Sequence, residues 1–158
     1  MVKFCIKNGG IVIYLVSACL VGLNTKYDGT NNCNEKVLKF LQDKIFIPFC
    51  PEQLGGLPTP RMPAEIISSF PDFKVINAEG EEVTNNFLRG AKQTLKIVSL
   101  YGEKISGIIL KEKSPSCGVN YIYDGSFTKK LVPGMGVTTY FLNKNGFKLF
   151  TEEDLGRD

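Results

Sequence analysis

Three continuous apolar runs stand out along the chain. They are "IVIYLVSA" at residues 11–18, "IFIPFC" at 45–50 and "ISGIIL" at 105–110. A short unbroken run of this β-rich kind is typical of a strand buried on both faces, as in a parallel sheet. The pattern therefore predicts three buried strands.

The segments between these runs carry helical or irregular patterns. Apolar spacing within 34–44 predicts a helix of about three turns, and the amphipathic stretch 84–101 predicts a longer one. A shorter helix is predicted to end at Gly146. Four prolines and two glycines within 51–63 predict a shaped loop without regular structure. Further β segments are predicted at 72–80, in a hairpin at 121–136, and at 147–153.

The order of these elements decides the fold class. Strands that alternate with helices through short connections predict an α/β fold with a largely parallel sheet. We expect a single-domain, three-layer sandwich of the Rossmann-like or flavodoxin-like type. A length of 158 residues suits one domain. We therefore assign residues 1–158 to one domain, with its core motifs at 11–151.

The N-terminus resembles a secretory signal peptide, because lysines precede an apolar stretch. However, the apolar core at 11–16 is short and runs directly into a turn. No apolar span approaches the roughly 20 residues that a membrane-crossing helix needs. We therefore interpret the stretch as a buried strand and expect no membrane partner. The expected location of the protein is the reducing cytoplasm, where thiols stay free.

Composition narrows the possible chemistry mainly through one missing residue type. The net charge of +3 does not by itself indicate nucleic acid, and no nucleic-acid polymer is expected as a partner. The chain has no histidine, which excludes imidazole-based triads and histidine metal sites. Acid–base work must then fall to Asp, Glu, Lys, Tyr or Cys.

Three of the five cysteines follow the three apolar runs. Cys19 ends the first predicted strand, Cys50 ends the second, and Cys117 lies just beyond the third. Parallel α/β sheets bind ligands at the carboxyl ends of their strands, so three thiols from distant parts of the chain can meet in one pocket. Cys5 and Cys33 do not share this placement.

The positions of these thiols in the sequence are compatible with several roles. A cysteine at a strand end usually packs in the core. Disulfides are disfavoured in a reducing compartment, and three candidates leave one unpaired. A structural zinc site takes four ligands, so Cys5, Cys33 or a carboxylate would have to complete it. Three thiolates with an open position suit a cubane iron–sulfur cluster whose fourth iron is free for an outside ligand.

Longer motifs around the cysteines carry a family resemblance. The blocks are "VSACLVGLNTKYDG", "PFCPEQLGGLPTPR" and "LKEKSPSCG", followed by "YDGSF" and "GMG". They resemble the signature blocks of the domain of unknown function 523 family, which includes the iron–sulfur thiouracil desulfurases. The blocks span residues 16–136. The resemblance therefore covers most of the chain.

The resemblance implies a cofactor and a reaction. It implies an oxygen-sensitive [4Fe–4S] cluster held by Cys19, Cys50 and Cys117, which an aerobic preparation can lack. The open iron then accepts the sulfur of a small thiolated substrate, such as thiouracil, in a non-redox reaction in which water supplies the replacing oxygen. A catalytic carboxylate and serine are also implied, and they map onto Glu52 and Ser114.

Glu52 and Ser114 can also be interpreted as residues without a catalytic role. Breaking a C=S bond requires proton transfer, and Glu52 can reach the same pocket because it follows Cys50 by two residues. Its alternative is a solvated or helix-capping glutamate. Either Ser114 or Ser116 could hydrogen-bond the substrate or the cluster sulfurs, and the alternative for each is a turn or cap hydroxyl. Ser114 is favoured, since Ser116 directly precedes a ligand and can simply shape that turn.

One position departs from the family pattern. Many members carry a further cysteine in the first block, where this chain has Thr25. A three-ligand cluster does not require that cysteine. Its loss puts in doubt a role for this loop in sulfur relay or in alternative ligation.

Two other functions compete with a desulfurase. Metal-free chemistry at a cysteine nucleophile is weakened by the missing histidine, since a thiolate usually needs such a partner. A non-enzymatic iron–sulfur or sulfide-carrying protein would share the metal-binding site without turnover. Iron content and turnover of thiouracil separate these alternatives.

Overall fold

The computed structural model describes residues 6–7 and 10–156 of the chain. Its strands are β1 (Ile6–Lys7), β2 (Gly10–Ile11), β3 (Ile13–Ser17), β4 (Ile45–Phe49), β5 (Ala64–Ser68), β6 (Lys74–Asn77), β7 (Ile105–Leu110), β8 (Tyr121–Tyr123), β9 (Leu131–Pro133) and β10 (Leu149–Thr151). Its α-helices are α1 (Glu35–Leu41), α2 (Pro51–Leu54), α3 (Thr84–Tyr101) and α4 (Val137–Lys144). Short 3₁₀ turns occupy Ala18–Val21 and Gly102–Lys104.

A four-stranded parallel sheet forms the centre of the fold, in the order β10-β7-β3-β4. Leu15 of β3 is paired with Ile47 on one side and with Ile108 on the other. Each predicted apolar run is thus one strand of a single sheet. Because all four strands are parallel, their carboxyl ends lie along the same edge.

Helices cover both faces of this sheet, which confirms the predicted three-layer α/β fold. Leu15 and Ile108 point into a core that also contains Val98 of α3 and Leu142 of α4. The neighbouring residues in the strands point the other way, into a core that α1 completes. That second core contains Val16, Ile109, Val37 and Leu41. The alternation follows from the two-residue repeat of a strand, and it explains why the runs carry apolar residues on both faces.

The long helix α3 spans the residues that periodicity predicts, from Thr84 to Tyr101. Phe87, Ala91 and Val98 lie on its buried face, and each of them is less than 3% exposed. Gly102, whose φ of 54° favours glycine, follows its last residue. The 121–136 hairpin is also confirmed, since β8 and β9 pair in antiparallel fashion.

The structure differs most clearly from the sequence prediction in the proline-rich segment and at β5. The proline-rich segment begins with a helical turn, α2, and Pro51 is tolerated at its first position, where a missing N–H costs nothing. The second difference is β5, which pairs with β6 in a hairpin that the sequence did not predict. Its apolar content is short, and Ile66 is buried whereas Ile67 is 42% exposed.

Within the described residues, no helix combines the length and the apolar character that a bilayer crossing requires.

Candidate functional site

A cleft of about 460 Å³ opens at the carboxyl edge of the main sheet. Cys19, Cys50 and Cys117 all line this cleft. Cys19 lies in the 3₁₀ turn after β3, Cys50 is the N-cap residue of α2 directly after β4, and Cys117 lies in the loop after β7. The parallel sheet therefore brings together three thiols that are far apart in sequence.

Cys117 is buried, whereas Cys19 and Cys50 are half-buried. Burial raises the pKa of the Cys117 thiol to about 12, and burial also raises the pKa values of Cys19 and Cys50. The neighbouring Ser17 and Ser116 hydroxyls lower the pKa of Cys117 and so offset part of this effect. The free protein thus keeps these thiols protonated at neutral pH, and binding a metal must displace their protons.

The donor set fits an iron–sulfur cluster better than a single metal ion. In the part of the chain that the structure describes, no three Cys, Asp or Glu side chains converge closely enough to hold one ion. In a cubane each thiolate binds a different iron, so its ligands stand farther apart than those of a mononuclear site. Three soft sulfur donors around one partly apolar cleft are the donor type that such a cluster takes.

A carboxylate stands beside the thiols in a network of charged hydrogen bonds. The Arg61 Nε lies 3.1 Å from the Glu52 Oε1, and the two side chains are only 6% and 15% exposed. Ser116 donates its hydroxyl to the Glu52 Oε2 at 2.9 Å. The same hydroxyl lies 3.6 Å from the Cys117 sulfur. Glu52 is therefore connected through one serine to a thiol of the cleft.

Arg61 fixes the position of Glu52. Its guanidinium donates to the carbonyl of Thr25 at 2.8 Å, to the carbonyl of Pro58 at 3.2 Å and to the Thr59 hydroxyl at 3.0 Å. An arginine with this many partners is held rigidly, and its planar group presents a fixed donor to the carboxylate. The "LPTPR" segment thus positions the acidic group.

The two serines of "SPSC" occupy different environments. Ser114 accepts the backbone N–H groups of Ser116 at 3.2 Å and of Cys117 at 3.1 Å, so its oxygen shapes the turn. Ser116 contacts Glu52. The two hydroxyl oxygens lie 3.0 Å apart, and both residues line the cleft. The catalytic role predicted for Ser114 stays a prediction, and the contact with Glu52 supports Ser116, the alternative left open by the sequence.

Sequence reasoning missed the residue that holds the Cys117 loop. Glu112 is 1% exposed, and its Oε1 accepts the N–H groups of Val119 and Asn120 at 2.8 and 3.0 Å. Its Oε2 accepts the side-chain amide of Asn120 at 2.7 Å. The carboxylate therefore closes the loop that presents Cys117. In the sequence, Glu112 lies between two lysines in "LKEK", a pattern that is typical of solvent-exposed charges. Its burial could therefore not be predicted from the sequence.

Ser17 is a second residue that the sequence did not indicate. It is 3% exposed, it lines the cleft, and its oxygen accepts the N–H of Lys111 at 3.0 Å. The Ser17 hydroxyl also lowers the pKa of the neighbouring Cys117 thiol. Ser17 therefore ties the end of β3 to the loop that follows β7.

The remaining cysteines and Thr25 are placed as follows. Cys33 is exposed and is not among the residues that line the cleft. Cys5 lies outside the described residues. Thr25 lines the cleft, and its carbonyl lies 4.0 Å from the Cys50 sulfur. Thr25, the position that departs from the family pattern, is thus close to one of the three thiols.

These features agree with the comparison with known families. The chain belongs to the 2-thiouracil desulfurase family, whose family model matches residues 14–154. The family resemblance predicted from the three motif blocks is thereby confirmed.

Two similar proteins were found along nearly the whole chain. "Uncharacterized protein YbbK" of Bacillus subtilis (strain 168) is 41% identical over 149 residues, which cover 89% of this chain and 96% of that protein. A solved structure described as the [4Fe-4S]-dependent thiouracil desulfidase TudS (DUF523Vcz) is 39% identical. It superposes with a TM-score of 0.80 over 90% of this chain and 91% of that one. The likeness supports the α/β fold class independently of the strand pattern.

Proposed function

We propose that this protein is a [4Fe–4S]-dependent desulfurase that removes sulfur from a thiolated pyrimidine such as thiouracil. The observation that carries the proposal is the convergence of Cys19, Cys50 and Cys117 on one cleft beside a buried Glu52–Arg61 pair. The family and the solved relative support the same activity. A cluster of this kind also agrees with the reducing cytoplasm as its compartment.

The three cysteines would hold the cluster, and the site would leave one iron facing the cleft. When bound, the cluster supplies a soft Lewis acid that accepts the sulfur of the substrate. The overall change is hydrolytic and non-redox. Thiouracil and water give uracil and hydrogen sulfide, so the C=S bond becomes a C=O bond and no electron donor is needed.

Glu52 is the residue that we assign to proton transfer. Attack by water requires that a proton leave the oxygen and that the departing sulfur gain one. The Glu52 Oε2 already accepts the Ser116 hydroxyl at 2.9 Å, which gives the proton a short path towards the thiol side of the cleft. Arg61 holds the other carboxylate oxygen at 3.1 Å and so keeps the group in place.

The test uses protein reconstituted with iron and sulfide under anaerobic conditions. Wild-type protein is expected to convert 2-thiouracil to uracil, measured by chromatography together with released sulfide. Glu52→Gln keeps the shape and the hydrogen-bond acceptor towards Arg61. It is expected to retain the iron content and the cluster absorption while turnover falls about 10²–10⁴-fold. Glu103→Gln changes an exposed glutamate outside the cleft and is the matched control.

Each result has a distinct meaning. Absence of turnover by cluster-loaded wild-type protein would contradict the proposed reaction and favour a sulfide carrier. Near wild-type turnover by Glu52→Gln would make this residue structural and direct the search to Ser114 and Ser116.

A further inference from the structure

An aromatic side chain on the wall of the cleft has no structural role in the described core. Phe127 lines the cleft and is half-buried. Among the residues that the structure describes, it belongs to none of the three hydrophobic clusters and pairs with no other aromatic ring. A phenylalanine normally gains its stability by packing. Here the cleft is the surface to which the ring is presented.

The backbone at this position is strained. Phe127 has a φ of 57°, and Lys129, two residues later, has a φ of 61°. A bulky side chain in the left-handed region costs free energy, and glycine or asparagine relieves that cost. Such strain persists only where the surrounding structure enforces it, and it concentrates at functional sites.

Contacts from a different strand enforce this conformation. Glu65 of β5 is 8% exposed, and its Oε1 accepts the N–H groups of Gly125 at 3.0 Å and of Phe127 at 3.2 Å. A Cβ at Gly125 would lie 2.9 Å from the carbonyl oxygen of Ile66, so the loop can approach β5 this closely only with glycine there. A buried carboxylate therefore holds the loop, and the loop holds the ring.

Resting on the proposed function, we propose that Phe127 determines specificity by stacking on the flat ring of the substrate. Three more aromatic residues, Tyr27, Phe49 and Tyr123, also line the cleft. An aromatic wall favours planar heteroaromatic thio compounds over aliphatic thioamides, since only a flat π-system gains from stacking. Stacking also requires no sulfur, so the same wall binds the desulfurated ring.

The test measures ring binding separately from turnover, on the full chain loaded with its cluster. Calorimetry with uracil reports stacking, and kinetics with 2-thiouracil and with thioacetamide report substrate choice. Phe127→Asn and Phe127→Leu are expected to weaken uracil binding and raise the KM for 2-thiouracil about ten- to a hundredfold, with kcat largely retained. Phe127→Tyr keeps the stacking face and is expected to stay near wild type. The kinetics of thioacetamide are expected to change little in all three variants.

Thermal unfolding separates a binding role from a structural one. Phe127→Asn relieves the left-handed strain, so its melting temperature is expected to equal or exceed that of the wild type while binding is lost. Phe70→Ala removes a ring that is 50% exposed and lies outside the cleft, and it is expected to bind uracil normally.

The outcomes distinguish this inference from the proposed function. Loss of uracil binding in Phe127→Asn and Phe127→Leu supports the aromatic wall, even if the wild type releases no sulfide and the proposed reaction fails. Unchanged uracil binding in both variants, or no uracil binding by the wild type, would contradict the stacking role of Phe127. Neither result would contradict the proposed desulfurase reaction. A large fall in melting temperature for Phe127→Asn would make the ring structural and would also overturn the inference.

Discussion

The Glu112 carboxylate shows how much one residue can decide at this site. It is 1% exposed, and it accepts hydrogen bonds from backbone and side-chain groups of the loop that contains Cys117. A buried charge is tolerable only when its acceptor positions are filled, and here the loop itself fills them. The hydrogen bonds that make the buried charge tolerable therefore also fix the conformation of the loop.

Replacing that carboxylate by an amide is expected to loosen the Cys117 loop. In Glu112→Gln, an N–H₂ group faces donors of Asn120, so at least one charged hydrogen bond is lost at a cost of about 1.5–3 kcal/mol. We expect reduced iron and acid-labile sulfide per chain after anaerobic reconstitution, with the circular dichroism spectrum retained.

A second substitution tests the specificity of this effect. In Glu112→Gln with Asn120→Asp, the donor and acceptor exchange places, and we expect partial recovery of iron content. Equal iron content in the wild type and the single variant would show that the loop does not depend on Glu112.

The same residue predicts a pH dependence of stability. Burial raises the pKa of Glu112, but the hydrogen bonds from Asn120, Tyr121 and Val119 outweigh burial and hold it below 4.5. A depressed pKa in the folded state gives stability that is fully present at neutral pH and is lost as the pH falls through the folded value. Urea titrations should therefore show the advantage of the wild type over Glu112→Gln shrinking below pH 4.5. An advantage that stays constant down to pH 3 would contradict this.

Some functional residues could be predicted from the sequence, and others could not. Cys19, Cys50 and Cys117 could be singled out because each follows an apolar run, and position along a strand is visible in sequence. Glu65 and Glu112 could not, since whether a glutamate is buried depends on partners brought by other segments. These two residues gain their roles only from the folded loops.

At the scale of elements, the contact between α2 and α3 sets the position of Cys50. A Cβ on Gly90 of α3 would lie 2.0 Å from the carbonyl oxygen of Pro51, and one on Gly55 would lie 2.0 Å from the carbonyl oxygen of Asn86. Two glycines thus let the turn after β4 touch the long helix backbone to backbone. This contact explains why α2 forms in a segment whose composition predicts an irregular loop.

Gly90→Ala tests this contact. Alanine is a better helix former than glycine, by up to about 1 kcal/mol, so propensity alone predicts stabilisation. The overlap with Pro51 predicts the opposite, a destabilisation of about 1–3 kcal/mol as α2 is pushed away. Chemical denaturation distinguishes the two signs, and Gln93→Ala on the exposed face of α3 is the control. A more stable Gly90→Ala protein would mean that α2 and α3 do not touch in this way.

Elements with a strong period were predictable, and those shaped by neighbours were not. The periodicity of α3 gives its residues directly, because a long amphipathic helix carries its pattern in its own sequence. β5 depends on pairing with β6, and its few apolar residues alternate too briefly to indicate a strand. α2 depends on its contact with α3, which Gly90 of α3 and Gly55 after α2 make possible.

At the scale of the whole molecule, the order β10-β7-β3-β4 is what creates a site. It places the ends of β3, β4 and β7 side by side, although Cys19, Cys50 and Cys117 are separated by long segments. A parallel sheet gathers such ends along one edge without any local cysteine motif. On the same grounds we propose that residues 1–158 act as one domain, since the main sheet draws on both ends of the core.

The central claim is that these three thiols, and no others, hold the cluster. The most direct measurement is iron and acid-labile sulfide per chain after anaerobic reconstitution, for single serine variants of all five cysteines. We predict that Cys19→Ser, Cys50→Ser and Cys117→Ser each lose most of the iron and the cluster absorption. Cys5→Ser and Cys33→Ser are predicted to keep wild-type iron content. Full iron content in any of the first three variants, or a comparable loss in Cys5→Ser or Cys33→Ser, would contradict the assignment of the ligands.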